Sequence, residues 1–87
     1  MADIIKYIRK EDKTPIGVVI ATDKNNIGFS VCSPHDKWDR KIAKVIARGR
    51  ANKPYPIQRR VLVSDEVYAL LKPVLDDVRL RAGKYFQ

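Results

Sequence analysis

The order of apolar and polar positions predicts three strands before any helix. Residues 4–9 (Ile-Ile-Lys-Tyr-Ile-Arg) are β-branched and aromatic with partial alternation, and the polar residues 10–14 followed by Pro15 interrupt the ladder. Residues 16–22 and 27–32 flank Asp23-Lys24-Asn25-Asn26, a connection rich in residues that tolerate left-handed backbone, so the two segments read as a hairpin. With Thr22 opposite Ile27, Ile20 pairs with Phe29 and Val18 with Val31, and these four share one face because side chains alternate along a strand. The other face then carries Gly17, Val19, Ala21, Gly28, Ser30 and Cys32, most of them small enough to let another backbone or a ligand come close.

From residue 33 the period lengthens to that of a helix. Ser33 fits an N-cap, Pro34 the first helical position, and Asp36 the third position of a capping box, with the helix running to about Arg48. At roughly 100° per residue, Trp38, Ile42, Val45, Ile46 and Gly49 gather in one arc, expected to face the core. Lys37, Arg40, Lys41, Lys44 and Arg48 gather in a separate, roughly opposite arc, a basic stripe. Gly49 is placed to end the helix in the left-handed region. The following residues 50–60 contain Pro54 and Pro56 and read as a long basic loop with Tyr55 at its centre. Residues 61–63 fit either a short strand or the apolar approach to a second helix capped by Ser64, with Asp65 and Glu66 in its first turn. Its core stripe is Val67, Leu70, Leu71, Val74 and Val78; Pro73 inside the pattern predicts a kink or a break, and Gly83 a stop. Tyr85 and Phe86 in the tail either dock or fray.

These elements predict one small α+β domain over residues 1–87: an antiparallel three-stranded β-β-β sheet followed by two helices, the second kinked or broken at Pro73. The first helix is expected on the face of Val18, Ile20, Phe29 and Val31; the second either shares that face or takes the small-residue one. At 87 residues, with 45% apolar and 32% charged side chains, the composition is that of an ordinary globular domain. The core is small, and stability is expected at the low end of the usual range, roughly 5 kcal/mol. One cysteine, Cys32, allows no internal disulfide, and the N-terminal residues have neither the basic region nor the apolar run of a signal peptide. No apolar run is long enough to cross a bilayer. A reduced, cytoplasmic setting is the expectation.

Charge adds the strongest functional signal. The formal net charge is +8, and all of it falls between residues 37 and 60, where nine cations face the single acid Asp39. On either side of that stretch the charges cancel. A solvated helix face beside a connecting loop is the plain structural explanation. Against it, a row of cations without interleaved acids forgoes i,i+4 pairing and repels itself, whereas a purely structural surface mixes signs. The concentrated patch fits a polyanion or an acidic protein surface.

The candidate contact residues are Lys37, Arg40, Lys41, Lys44 and Arg48 on the helix, extended by Arg50, Lys53, Tyr55, Arg59 and Arg60 from the loop. Tyr55, bracketed by prolines and flanked by cations, fits stacking on a base or insertion at an interface, and fits equally a tyrosine folded back on the core. Trp38 reads as a packing anchor. Cys32, Ser33, His35 and Asp36 include nucleophile and base types, but neighbours at a strand-to-helix junction do not converge as a triad does, and capping accounts for Ser33 and Asp36. A lone histidine and a lone cysteine make no zinc site of the Cys/His kind, and no Gly-rich phosphate cradle is present. The expectation is therefore a non-enzymatic protein with no cofactor and no metal.

Ile27-Gly28-Phe29-Ser30-Val31-Cys32, then Asp36-Lys37-Trp38, then Ile46-Ala47-Arg48-Gly49-Arg50-Ala51 resemble a pattern in small uncharacterised bacteriophage-encoded proteins. Those proteins carry a Gly-x-Ser-x-Cys strand followed by a helix ending Ile-Ala-x-Gly-Arg-Ala, and the resemblance covers about residues 16–51. It implies a phage origin and a bacterial cytoplasm, and it carries no activity onto named residues. The leading expectation is a nucleic-acid-binding protein, for DNA or RNA, that contacts phosphates through the basic helix face and loop. The alternative is a phage-encoded inhibitor or modulator that binds an acidic surface of a host protein. Neither involves a membrane, and a homodimer is open because so short a chain has apolar surface to cover.

Overall fold

The computed structural model describes residues 3–32, 37–52 and 65–86. Strands β1 (Ile4–Arg9), β2 (Pro15–Ala21) and β3 (Ile27–Val31) form an antiparallel sheet in the order β1-β2-β3, followed by helices α1 (Arg40–Ala51) and α2 (Asp65–Tyr85). This is the expected α+β architecture. The β1–β2 turn is closed by the Lys10 amide donating to the Thr14 carbonyl at 2.9 Å, with Lys13 in the left-handed region at φ 71°. α1 packs on β2 and β3, and α2 on β1 and β2. The sheet is the middle layer between them.

The hairpin register differs by one residue from the expected one. The connection has five residues, 22–26, closed by the Thr22 amide donating to the Asn26 carbonyl at 3.0 Å, so Ala21, not Thr22, lies opposite Ile27. A one-residue shift moves every side chain of a strand to the other face. Val19 pairs with Phe29 and Gly17 with Val31, while Val18 pairs with Ser30 and Ile20 with Gly28.

The face of Val19, Ala21 and Phe29 receives α2. Ile8, Leu71, Val78, Ala82 and Phe86 complete that core, with Leu70 and Val74 packed against it, so four of the five residues of the expected α2 stripe, all but Val67, belong to this cluster. Phe86 is buried and its amide donates to the Ala82 carbonyl at 3.0 Å, so the tail docks by this ring while Tyr85 stays outside, edge-on to it at 4.9 Å. α2 continues through Pro73 without a break and past Gly83 to Tyr85. Pro73 and Ala69, whose carbonyl loses its intrahelical donor to the proline, are both exposed, so water can satisfy the freed carbonyl.

The face of Val18 and Ile20 receives α1 through Ala43 and Ala47, with Tyr7 and Trp38 packed alongside. Ala51, also buried, extends this row at the next four-residue step. Gly28 sets how near the helix comes: a Cβ there would overlap the Ala47 carbonyl oxygen and the Ala51 amide nitrogen. The small residues of β3 thus admit the helix backbone itself.

The start of α1 is a further correction. Lys37, Trp38 and Asp39 are not helical, and Asp39 is the N-cap, its Oδ1 accepting from the Ile42 amide at 3.1 Å. Aspartate caps as well as serine does. The later start leaves Trp38 outside the helix, where its ring meets Tyr7 edge-on at 6.3 Å. The cap expected at Ser33, with Pro34 and Asp36, lies outside the described residues. At the other end α1 runs past Gly49 to Ala51 with Asn52 as C-cap, and no described glycine has positive φ.

Candidate interaction surface

Because alanines occupy the buried side of α1, its large apolar side chains point away from the sheet. Ile42, Val45 and Ile46 are 59%, 67% and 40% exposed. They were expected in the core together with Gly49. The expectation ranked residues by hydrophobicity, but Gly28 and Ser30 leave room only for a row of small residues, and Ala43, Ala47 and Ala51 supply it at four-residue spacing. The signal that identifies the buried face is that alanine row, matched to the small residues of β3.

The basic residues accordingly form a border to this apolar stripe. At roughly 100° per residue, Lys41, Lys44 and Arg48 follow one another along one flank of α1. Arg48 Nε meets Asp3 Oδ2 at 2.8 Å, which places this flank on the β1 side. Lys44 is half-buried; Lys41 is exposed, as are Lys37, just before the helix, and Arg40 at its first residue. Arg50 lies on the other flank, where its Nη1 donates to the Phe29 carbonyl at 2.9 Å. Two of the predicted contact residues, Arg48 and Arg50, therefore also tie α1 to the sheet layer. Lys53, Tyr55, Arg59 and Arg60 lie outside the described residues.

Beside the stripe, on the β3 side, a groove of about 310 Å³ runs between α1 and the end of β3, lined by Val31, Cys32, Trp38, Ile42 and Ile46 with Lys37 and Asp39 at its edge. Its walls are largely apolar, so it extends the outward surface of Ile42 and Ile46. α2 presents paired charges alongside the exposed Tyr68, Leu80 and Tyr85. Lys72 pairs with Asp76 at 2.8 Å, Arg81 with Asp77 at 3.0 Å, and Lys6 of β1 reaches the same Asp77 oxygen at 2.7 Å. The bond from Lys6 holds the Asp77 carboxyl below the ordinary aspartate value, and Arg81 acts in the same direction. The bond from Lys72 to Asp76 raises the lysine in turn.

Among the described residues no three His, Cys, Asp or Glu side chains lie close enough together to hold a metal ion. Among them, too, no helix is long and apolar enough to cross a membrane. What the surface can do chemically is exclude water from three branched side chains while presenting cations at their border. Gly28 meets Ala47 and Ala51, and Arg50 meets the Phe29 carbonyl, at the α1–β3 contact, so these positions of the two segments act as a packing device. Comparison of the chain with protein-family models, with curated proteins and with solved structures finds no match.

Proposed function

We propose that this chain is a non-enzymatic binding protein whose outward α1 face docks on a partner protein with an apolar contact surface bordered by acidic residues. The observation that carries this reading is the exposure of Ile42, Val45 and Ile46 on a helix whose opposite side is already packed. A contiguous apolar patch rimmed by charge marks a protein contact, whereas binding to a phosphate backbone has no use for isoleucine at the centre of the face. The rim cations would steer encounter and select acidic partners. If the phage resemblance reflects origin, the partner is a host protein of the bacterial cytoplasm and the effect inhibition or modulation.

Nucleic-acid binding is the second reading, favoured by the confinement of the whole positive surplus to residues 37–60. It predicts salt-dependent binding with a slope of log K against log salt of roughly −5 for five or six neutralised phosphates.

One pair of variants separates the two. Ile42→Ser/Val45→Ser changes the stripe, and Lys41→Gln/Lys44→Gln changes exposed and half-buried border cations. Affinity capture from nuclease-treated bacterial lysate is expected to retain a stoichiometric protein with the wild type and lose it with the stripe variant. Salt-sensitive oligonucleotide anisotropy that is lost in the border variant and intact in the stripe variant would instead establish the nucleic-acid reading.

A further inference from the structure

Resting on the protein-docking reading, we propose that the partner element seated on α1 is an acidic amphipathic helix. Ile42, Val45, Ile46 and Gly49 stand at i, i+3, i+4 and i+7, the seam along which one helix packs on another. An added extended segment would be held by the backbone of a strand edge, and an outward helix face offers none.

Gly49 sharpens the assignment. It lies inside α1 with no positive φ, and a Cβ on it would meet nothing within 4 Å among the described residues, so neither its backbone conformation nor packing against them calls for glycine. A glycine inside a helix nonetheless costs up to about 1 kcal/mol relative to alanine. On a helix–helix seam it has a use, because it lets the partner's backbone come close at one end of the contact. The border completes the recognition. Lys41, Lys44 and Arg48 are spaced three and four apart along the seam, where the charges flanking paired helices meet, so the complementary helix carries Asp or Glu on the matching border. Arg48 would exchange or share its pairing with Asp3 on docking.

Other occupants fit less well. Two copies of this chain would bring together two surfaces that are each bordered by Lys41, Lys44 and Arg48. An anionic lipid surface attracts the same cations, but a fluid interface gains nothing from a glycine, and three side chains are a short apolar face to insert.

The test places the photoreactive residue p-benzoylphenylalanine at Val45 in the full chain expressed in bacterial cells, with the same residue at the exposed Leu80 of α2 as control, and maps the crosslinked peptide by mass spectrometry. The expected adduct lies in a protein segment with apolar residues at i, i+3 and i+4 bordered by acids. With that partner purified, Gly49→Ala is expected to weaken binding about tenfold while leaving the domain folded. An adduct in a segment of period two, in a helix with a basic border, or a partner indifferent to Gly49→Ala overturns the helix assignment and leaves protein docking standing. Adducts to lipid, to nucleic acid, to a second copy or to residues 53–64 of the same chain, or none above the Leu80 control, overturn both.

Discussion

The two helices of this domain bury opposite kinds of residue. α2 puts Leu71 and Val78 into its core and turns paired charges together with Tyr68, Leu80 and Tyr85 to the solvent, whereas α1 puts Ala43 and Ala47 against the sheet and turns Ile42, Val45 and Ile46 outward. The difference follows from the two faces of one hairpin. Phe29 and Val19 stand up from one side and are met by long side chains; on the other, Val18 and Ile20 stand beside Gly28 and Ser30 and are met by alanines, and over Gly28 the helix backbone itself closes in. A helix held by close approach needs no large side chain for its own docking, which leaves those it has for another molecule.

The most severe way to break the comparison is to add volume where the backbones meet. Gly28→Val should cost about 3 kcal/mol or more, because the clash is with main-chain atoms of α1 that cannot rotate aside; urea titration reads it as a lower midpoint. Removing volume from the other layer, Leu71→Ala, should cost about 3 kcal/mol in the same titration, from lost burial and the cavity left behind. The two sides of the sheet would then show comparable sensitivity of opposite sign in volume. A Gly28→Val protein as stable as the wild type would refute the close-approach account.

Gly49→Ala should raise stability by about 0.5–1 kcal/mol, since the position is helical and open to solvent, and thermal unfolding checks it. On the α2 side, Asp77 has a folded pKa below its unfolded value, so its contribution is fully present above about pH 4 and is lost as pH falls through the folded value. Asp77→Asn should therefore flatten the fall of melting temperature between neutral and strongly acid pH. The effect is the smallest of the set because the half-buried group lies at the surface, where solvent screens it.

Much of the fold was legible in the order of residues. Period-two segments separated by Pro15 and by the Asp23 to Asn26 connection located the strands, and the stripe of Leu70, Leu71, Val74 and Val78 located the buried side of α2. Two features were not. Register turned on whether the connection holds four or five residues, and pattern alone does not separate those when both strand faces are apolar or small. The buried side of α1 turned on register in its turn, because only with Gly28 and Ser30 placed under the helix does an alanine row outcompete isoleucine. The surface rich in cations was visible from charge alone; its apolar centre required knowing which side of the helix was already occupied. Arg50 shows the same limit from another direction: counted as a surface cation, it is half-buried and engaged with the Phe29 carbonyl.

The contact over Gly28 also constrains how this chain can change over generations. A clash between two side chains can be relieved by a second substitution that trims the partner, so such positions drift in pairs. Here the atoms that a new side chain would strike are the Ala47 carbonyl oxygen and the Ala51 nitrogen and α-carbon, present whatever residues occupy those positions. No single exchange elsewhere on α1 can make room. A genetic selection for suppressors of a defective Gly28 variant should accordingly return true revertants and changes that strengthen the domain globally, and no compensating partner on the helix.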